Sequence, residues 1–466
     1  MADSSGNAVA QQVQTEMRKL LKVEGLPFQA LLSIEQIDAA LAKSNIKFQD
    51  RIYTPQVVLW AFLSQILSQD GSCQTAVARV LVQRIEEGLK PCSENTASYC
   101  EARKRLPESV VSGLALDVGN EHHDQAPVEW KLHGRNVEIV DGSTAIMADT
   151  RENQEAYPQS RNQRQGLGFP ILRFVVLLSL SVGTVLGCAI GACRGKKTGE
   201  QSLFRQLFEN IKPGTILLGD CLYDAYQDIA KLGARNVDVV FGMKQSRKHD
   251  FRRGRRLGPD DHVVIWTKPK YDKSRFDSRE EWMSLPPFME MREARIIVKR
   301  AGYKTRVIRV VTTLLDAETY TKSDLMNLFA QRWHCELDLR SIKCSLGLKE
   351  LKCKTPSMVR KELWMHMLAY NLIRARMVRA AAAHDKLPRT LSFQSAKTFI
   401  NEFLPALERA EPDVRDRLES ELSRAIARCK VGDRPGRKEP RAVKKRPQQH
   451  PKLKQPRTEA RKGLPA

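Results

Sequence analysis

Acidic residues are scarce in this chain of 466 residues: 54 Asp plus Glu stand against 77 Lys plus Arg, a formal charge of +23. That deficit argues for a polyanion partner, and nucleic acid is the commonest. Cys-x-x-Cys pairs are missing. The ten cysteines, Cys73, Cys92, Cys100, Cys188, Cys193, Cys221, Cys335, Cys344, Cys353 and Cys429, are scattered, which speaks against a zinc ribbon or a thioredoxin-like site. MADSSGNAVAQQVQ has no charged region leading into an apolar core, so no leader is predicted and the thiols suit a reducing cytoplasm. Internal repeats are absent too. One uncharged run, Val175 to Ala192, is long enough to raise a membrane span. It contains Ser179, Ser181, Gly183, Thr184, Gly187 and Gly191 and divides at residues 181–184 into two β-rich halves. Two buried strands joined by a tight turn are expected, and no membrane partner.

What is present reads as globular: 42% hydrophobic and 28% charged residues, enough chain for two to four domains and a real core. Residues 1–130 form a helical pattern. Thr54-Pro55 is a cap followed by proline at the first helical position, opening an apolar helix through Leu67. Further helices are predicted at Thr75–Glu87 and Glu94–Arg105. The region suits DNA binding or plain helical interaction. Asn136–Val140 is then a short strand, followed by a polar stretch rich in Gln, Asn and Gly that predicts no regular element. Strands at Leu172–Leu180 and Val185–Ala192, a helix at Glu200–Ile211, a strand at Thr215–Gly219, a helix at Asp224–Leu232 and a strand at Val237–Phe241 give an α/β layout. Residues 243–320 interrupt it with β-rich segments at Val263–Thr267, Ala294–Lys299 and Arg306–Leu314. A long helix over Ser357–Met377 and two C-terminal helices, Ser392–Ala410 and Pro412–Ala427, follow. The last segment, residues 431–466, has 12 Lys or Arg against 3 Asp or Glu and reads as a disordered basic tail.

The chemistry gathers on one stretch, Phe329 to Lys343. Read as a single helix, it turns roughly 100° per residue and places Phe329, Arg332, Glu336 and Lys343 on one narrow face. Two more acids, Asp141 after VEIV and Asp220 after TILLG, stand just past the ends of predicted strands, where an α/β sheet collects its functional groups. Three converging carboxylates repel one another unless cations neutralise them. Two divalent ions, Mg2+ or Mn2+, fit all-oxygen ligands and can serve both sides of a phosphodiester. Arg332 then offers a planar fork, and Lys343 a point charge, to the phosphates of a nucleic-acid backbone.

At these residues the chain resembles the bacterial insertion-sequence DDE transposases with the Tyr-x2-Arg-x3-Glu-x6-Lys signature, here Phe329-x2-Arg332-x3-Glu336-x6-Lys343. VDGSTAIMADTRENQ resembles the family's first-Asp motif and LLGDCLYDAY its second. The resemblance implies a ribonuclease H-like core in two parts, residues 131–242 and 321–380. A β-rich insertion at 243–320 separates them, with a helical domain before the core and C-terminal helices over 381–430 after it. It implies metal ligation by Asp141, Asp220 and Glu336, and transposon-end phosphate binding by Arg332 and Lys343. Phe329 keeps a ring for packing where the family carries a tyrosine hydroxyl. Implied too are cut-and-paste transposition, terminal inverted repeats and target DNA as substrates, a homodimer holding two ends, and a bacterial, nucleoid-associated setting.

Plainer roles stand beside these for several neighbours. Asp149 and Asn153 suit loop ordering better than ligation. His334, Asp338 and Arg340 suit packing or solvent. Trp266 and Trp282 suit core packing better than stacking on an extruded base. Lys244 to Arg256, with seven cations and one anion, is either a DNA-tracking run or a solvated one. Two alternatives remain open: a nuclease of the same fold without strand transfer, and a non-catalytic DNA-binding derivative or inactive copy.

Overall fold

The computed structural model describes Phe28, Arg247, Phe276 and residues 31–44, 52–244, 250–273, 278–298, 306–432 and 452–462. The chain divides into two compact units: Met1–Asp124, Cys344–Leu348 and Ser357–Val431 form one, and Gln125–Lys343, Lys349–Pro356 and Gly432–Ala466 the other.

The first unit is helical. It opens with α1 (Ile34–Lys43), α2 (Pro55–Leu67), α3 (Cys73–Glu86), α4 (Ala97–Arg105) and α5 (Glu108–Asp124). Thr54 caps α2 by accepting from the Val57 amide, with Pro55 at the first helical position, which satisfies one orphan donor and needs no other there.

The second unit is built on one sheet. Its elements are β1 (Val137–Met147), α6 (Arg151–Ala156), β2 (Ile171–Ser179), β3 (Val185–Ala192), α7 (Glu200–Arg205), β4 (Ile216–Gly219), α8 (Tyr226–Ala234), β5 (Asp238–Gly242), β6 (Arg255–Gly258), β7 (Asp261–Thr267), α9 (Arg279–Ser284), β8 (Phe288–Val298), β9 (Arg306–Thr312), α10 (Lys322–Gln331), α11 (Trp333–Arg340) and β10 (Glu350–Leu351). The strand order is β3-β2-β1-β4-β5-β9-β8-β7-β6, with β10 on β1. β1 to β3 form an antiparallel meander, and β4 and β5 run parallel to β1. The uncharged run is thus a hairpin, turning at Gly183 with φ 81°, a value glycine adopts without strain. β9 returns to pair with β5, so the insertion extends the same sheet. Val140, Phe241, Trp266, Met291 and Val311 share one hydrophobic cluster.

The chain closes with α12 (Pro356–Ala383), α13 (Phe393–Arg409) and α14 (Pro412–Arg428) in the helical unit, and α15 (Arg457–Lys462) in the other.

Several expectations are corrected. β1 is an eleven-residue strand, not a short one ending at Val140, because β2 keeps pairing with it as far as Ile146. The polar stretch after it holds α6, capped by the Thr150 hydroxyl at the Asn153 amide. The helix at Glu200 ends at Arg205, and a separate 3-10 turn covers Phe208–Asn210. The single helix over residues 329–343 is interrupted. At Arg332 the amide bonds back three residues, to the Phe329 carbonyl, and a wide turn occupies Ser341–Ser345. The long helix α12 belongs with the N-terminal helices, not with a core part ending at residue 380. Its Asn371 donates to the Ala115 carbonyl at 2.7 Å and its Arg360 pairs with Glu108 at 2.8 Å. Of the tail read as disordered, residues 433–451 and 463–466 lie outside the described residues, and α15 is helical.

The insertion is held together by Arg292, a fully buried side chain. It meets Asp261 through two bonds of 2.8 and 2.6 Å and the Tyr320 carbonyl at 2.6 Å. Arg292→Met strands a buried carboxylate and is expected to cost about 3–5 kcal/mol in urea unfolding. Adding Asp261→Leu is expected to recover most of that loss.

Candidate active site

The parallel part of the sheet fixes the two aspartates. β1 pairs with β4 at Val137↔Ile216, Glu138↔Leu217 and Ile139↔Leu218. Continuing that register sets Asp141 opposite Asp220. Past Ile139 the β4 side of β1 has no strand until Ile146 meets β10, so Asp141 stands in mid-strand at an open gap. It is therefore not past a strand end, as expected, although it is past the end of the parallel ladder. Asp220 does follow the last residue of β4.

Each carboxylate has a local partner. The Gly142 amide donates to Asp141 Oδ1 at 2.9 Å, and the Leu222 amide to Asp220 Oδ1 at 2.7 Å. Burial pushes the Asp141 carboxyl up to about 6, and the charges of Asp220 and Glu200 add to this, against the Gly142 amide and the Arg332 guanidinium. Burial is the main cause, and the neighbouring charges act in both directions.

Arg332 and Glu336 meet at 3.4 Å. The tightened backbone at Arg332 has not separated them, since residues four apart still share a face. Lys343 Nζ donates to the Ser143 hydroxyl at 3.0 Å. Ser143 is two residues beyond Asp141, hence on the same face of β1. Phe329 packs where β5 ends: a Cβ on Gly242 would stand 3.2 Å from its Cζ and 3.1 Å from the Cys221 amide nitrogen. Glycine at 242 lets the ring and the turn after Asp220 close together. Arg332 thus acts on Asp141 and Glu336 alike. Among the described residues, though, no three His, Cys, Asp or Glu side chains are gathered closely enough to hold a metal ion. Glu336 is turned toward Arg332.

The other candidates have structural roles. Asn153 is buried and donates to the Ala148 and Cys353 carbonyls at 3.0 and 3.2 Å, and Asp149 accepts from Gln154 at 2.8 Å. Both order the segment after β1. Trp266 is buried, donates to Glu293 at 2.8 Å and carries the Arg247 guanidinium 3.6 Å over its ring. Trp282 donates to the Pro269 carbonyl at 2.8 Å under Lys268. Asp338 is buried, His334 half-buried and Arg340 exposed. In the basic run, Lys244 pairs with Asp224 at 2.7 Å and Arg252 with Asp250 at 2.8 Å. Gln245, Ser246, Lys248 and His249 lie outside the described residues.

Sequence reasoning missed Glu200 and Tyr223. Tyr223 Oη donates to Glu200 Oε1 at 2.8 Å, and burial, then Glu200, raises the tyrosine's pKa. An acid at a helix start is ordinary, so nothing in the sequence marked Glu200.

Comparison with known proteins now bears on these residues. The family model described as Transposase DDE domain matches residues 132–372, which include Asp141, Asp220 and Glu336. The chain belongs to the DDE transposase family. It is accordingly a DNA transposase, an enzyme that cleaves DNA and transfers its strands. Transposase InsG for insertion sequence element IS4, of Escherichia coli (strain K12), is 27% identical over 433 residues, 90% of this chain and 92% of its own. A piggyBac transposase, solved as a synaptic complex with hairpin DNA, aligns over 89% of this chain and 86% of its own at a TM-score of 0.43 and 9% identity.

The raised pKa of Asp141 gives this transposase a pH signature without metal. A carboxyl raised on folding contributes stability below its unfolded pKa of 3.8 and loses it as pH rises through about 6. The melting temperature of EDTA-treated protein is expected to fall between pH 4 and 7. Asp141→Asn should remove that slope and stabilise the protein at pH 7 by about 2–3 kcal/mol.

Proposed function

We propose that this transposase moves an insertion sequence by cut-and-paste, with Asp141, Asp220 and Glu336 as its metal-binding triad on a ribonuclease H-like core. The observation that carries the reading is the β1–β4 register, which sets Asp141 opposite Asp220 at a gap flanked by Arg332 and Lys343. The core is supported by three antiparallel strands followed by two parallel ones, in the order β3-β2-β1-β4-β5.

Transposases of this family use divalent metal ions. The donor set fits them: all three candidate ligands are carboxylates, the all-oxygen kind that hard divalent ions take. When bound, two such ions would activate the attacking oxygen and stabilise the leaving one. The chain's own residues do the rest. Asp141 and Asp220 hold the ligand oxygens at fixed spacing on neighbouring strands. Arg332 keeps Glu336 at the site and, with its remaining N–H groups, can take phosphate oxygens. Lys343, held on the Asp141 face by Ser143, adds a second cation for the DNA backbone. Phe329 braces the turn that carries Asp220.

DNA is the partner: the element's terminal inverted repeats, and then target DNA. A homodimer would hold the two ends together, in the bacterial cytoplasm at the nucleoid. Among the described residues no helix is long and apolar enough to cross a membrane.

The test uses the inverted repeats flanking the gene as substrate. The wild type is expected to nick them in Mg2+ or Mn2+ and to join the freed 3′ ends to target DNA. Glu336→Gln is expected to lose at least about a thousandfold in rate, roughly 4 kcal/mol of barrier, while still shifting end DNA on a gel. Cleavage without joining would instead identify a nuclease. No divalent-dependent cleavage by the wild type would identify an inactive copy.

A further inference from the structure

Glu200 stands beside Asp141 but has no part in the triad proposed above. Its position is unusually determined for a half-buried acid at the start of a short helix. Tyr223 Oη donates to Oε1 at 2.8 Å, from a ring that is itself fully buried. The carboxylate lies against the backbone of Gly142, so that a Cβ there would fall 2.4 Å from Glu200 Cδ and 2.6 and 2.7 Å from its oxygens. Only glycine at 142 permits that approach. The backbone is tied as well: Arg173 donates to the Thr198 carbonyl at 3.3 Å, and Gln201 to the Leu222 carbonyl at 2.6 Å. Glu200 is thereby fixed to β1 on one side and to the turn after Asp220 on the other.

This placement sets a third negative charge beside two that already repel. An exposed acid with no task there would turn to water. Divalent ions of the magnesium type keep several waters in their shell, and carboxylates that accept hydrogen bonds from a metal's ligands tune its affinity.

We propose that Glu200 is a positioning residue of the metal centre, an outer carboxylate that accepts hydrogen bonds from the hydration shell of an ion held by Asp141 and Asp220, with Tyr223 fixing its orientation. This rests on the triad reading. Held against Gly142 and Tyr223, Glu200 adds attraction for such an ion without occupying a coordination position.

The test is Mn2+ binding to the full-length protein without DNA, followed by electron paramagnetic resonance, together with melting of the metal-free protein. Glu200→Gln is expected to weaken Mn2+ about ten- to a hundredfold and to leave metal-free melting unchanged or higher, since a repelling charge has gone. Gly142→Ala displaces the carboxylate without removing it and should weaken binding in the same direction. That variant keeps the question open to test should Glu200→Gln fold poorly. If Asp141→Asn loses Mn2+ while both of these variants bind as the wild type does, the role of Glu200 is overturned and the triad stands. If Asp141→Asn also binds Mn2+ normally, both readings fall.

Discussion

Asp141 on β1 and Asp220 just past β4 are two like charges, and the sheet holds them near each other regardless. The constraint is the register of β1 on β4, which brings Asp141 level with Asp220. The Asp220 charge is among the influences that raise the Asp141 carboxyl, after burial. Arg135 helps set the register from the opposite end: it donates to the Gly214 carbonyl at 2.9 Å and to Asp238 at 2.7 Å, reaching the entries to β4 and β5. Gly219 contributes by lacking a side chain, since a Cβ there would meet Phe241 and Tyr223 at 3.0 Å. Asp220 is therefore carried on a tightly packed strand end that cannot relax away from its neighbour.

Much of this was legible in the sequence because it depends on short-range pattern. Pro55 behind Thr54, the uncharged hairpin with Gly183 at its turn, and the apolar runs of β4 and β5 each follow from local chemistry. Asp220 was readable because β4 is buried on both faces and stops where a charge begins. Asp141 was misplaced within its element for the opposite reason. Beyond Val140 the strand turns polar, with Asp, Gly, Ser and Thr, yet it continues because β2 supplies its partner from thirty residues further on. No local pattern encodes a partner at that distance. The same holds for α12, whose assignment to the helical unit depends on bonds to Ala115 and Glu108 more than 250 residues away in sequence.

The helical wheel over residues 329–343 succeeded for Arg332 and Glu336 and proved too simple beyond them. A tightened turn at Arg332 and a wide one at Ser341–Ser345 change the phase in opposite senses. Lys343 reaches Ser143 on β1. Wide turns of this kind recur at functional sites because they re-aim a side chain without ending the helix. Glu200 was invisible for a different reason. Its significance is carried by a glycine and a tyrosine from two other segments, and each of those looks unremarkable alone.

The pairing of β5 with β9 has a mechanical meaning. After β5 the chain returns to pair with that same strand through β9, and Trp266, Met291 and Val311 join Val140 and Phe241 in one cluster. An inserted segment joined by two loose linkers could swing as a separate body. This one is hydrogen-bonded to β5, the neighbour of β4, and its own Arg292 ties β8 to Asp261 and to the Tyr320 carbonyl. A load on this segment is met by the β5–β9–β8–β7 hydrogen-bond ladders in shear, so the segment is a continuation of the sheet that carries Asp141.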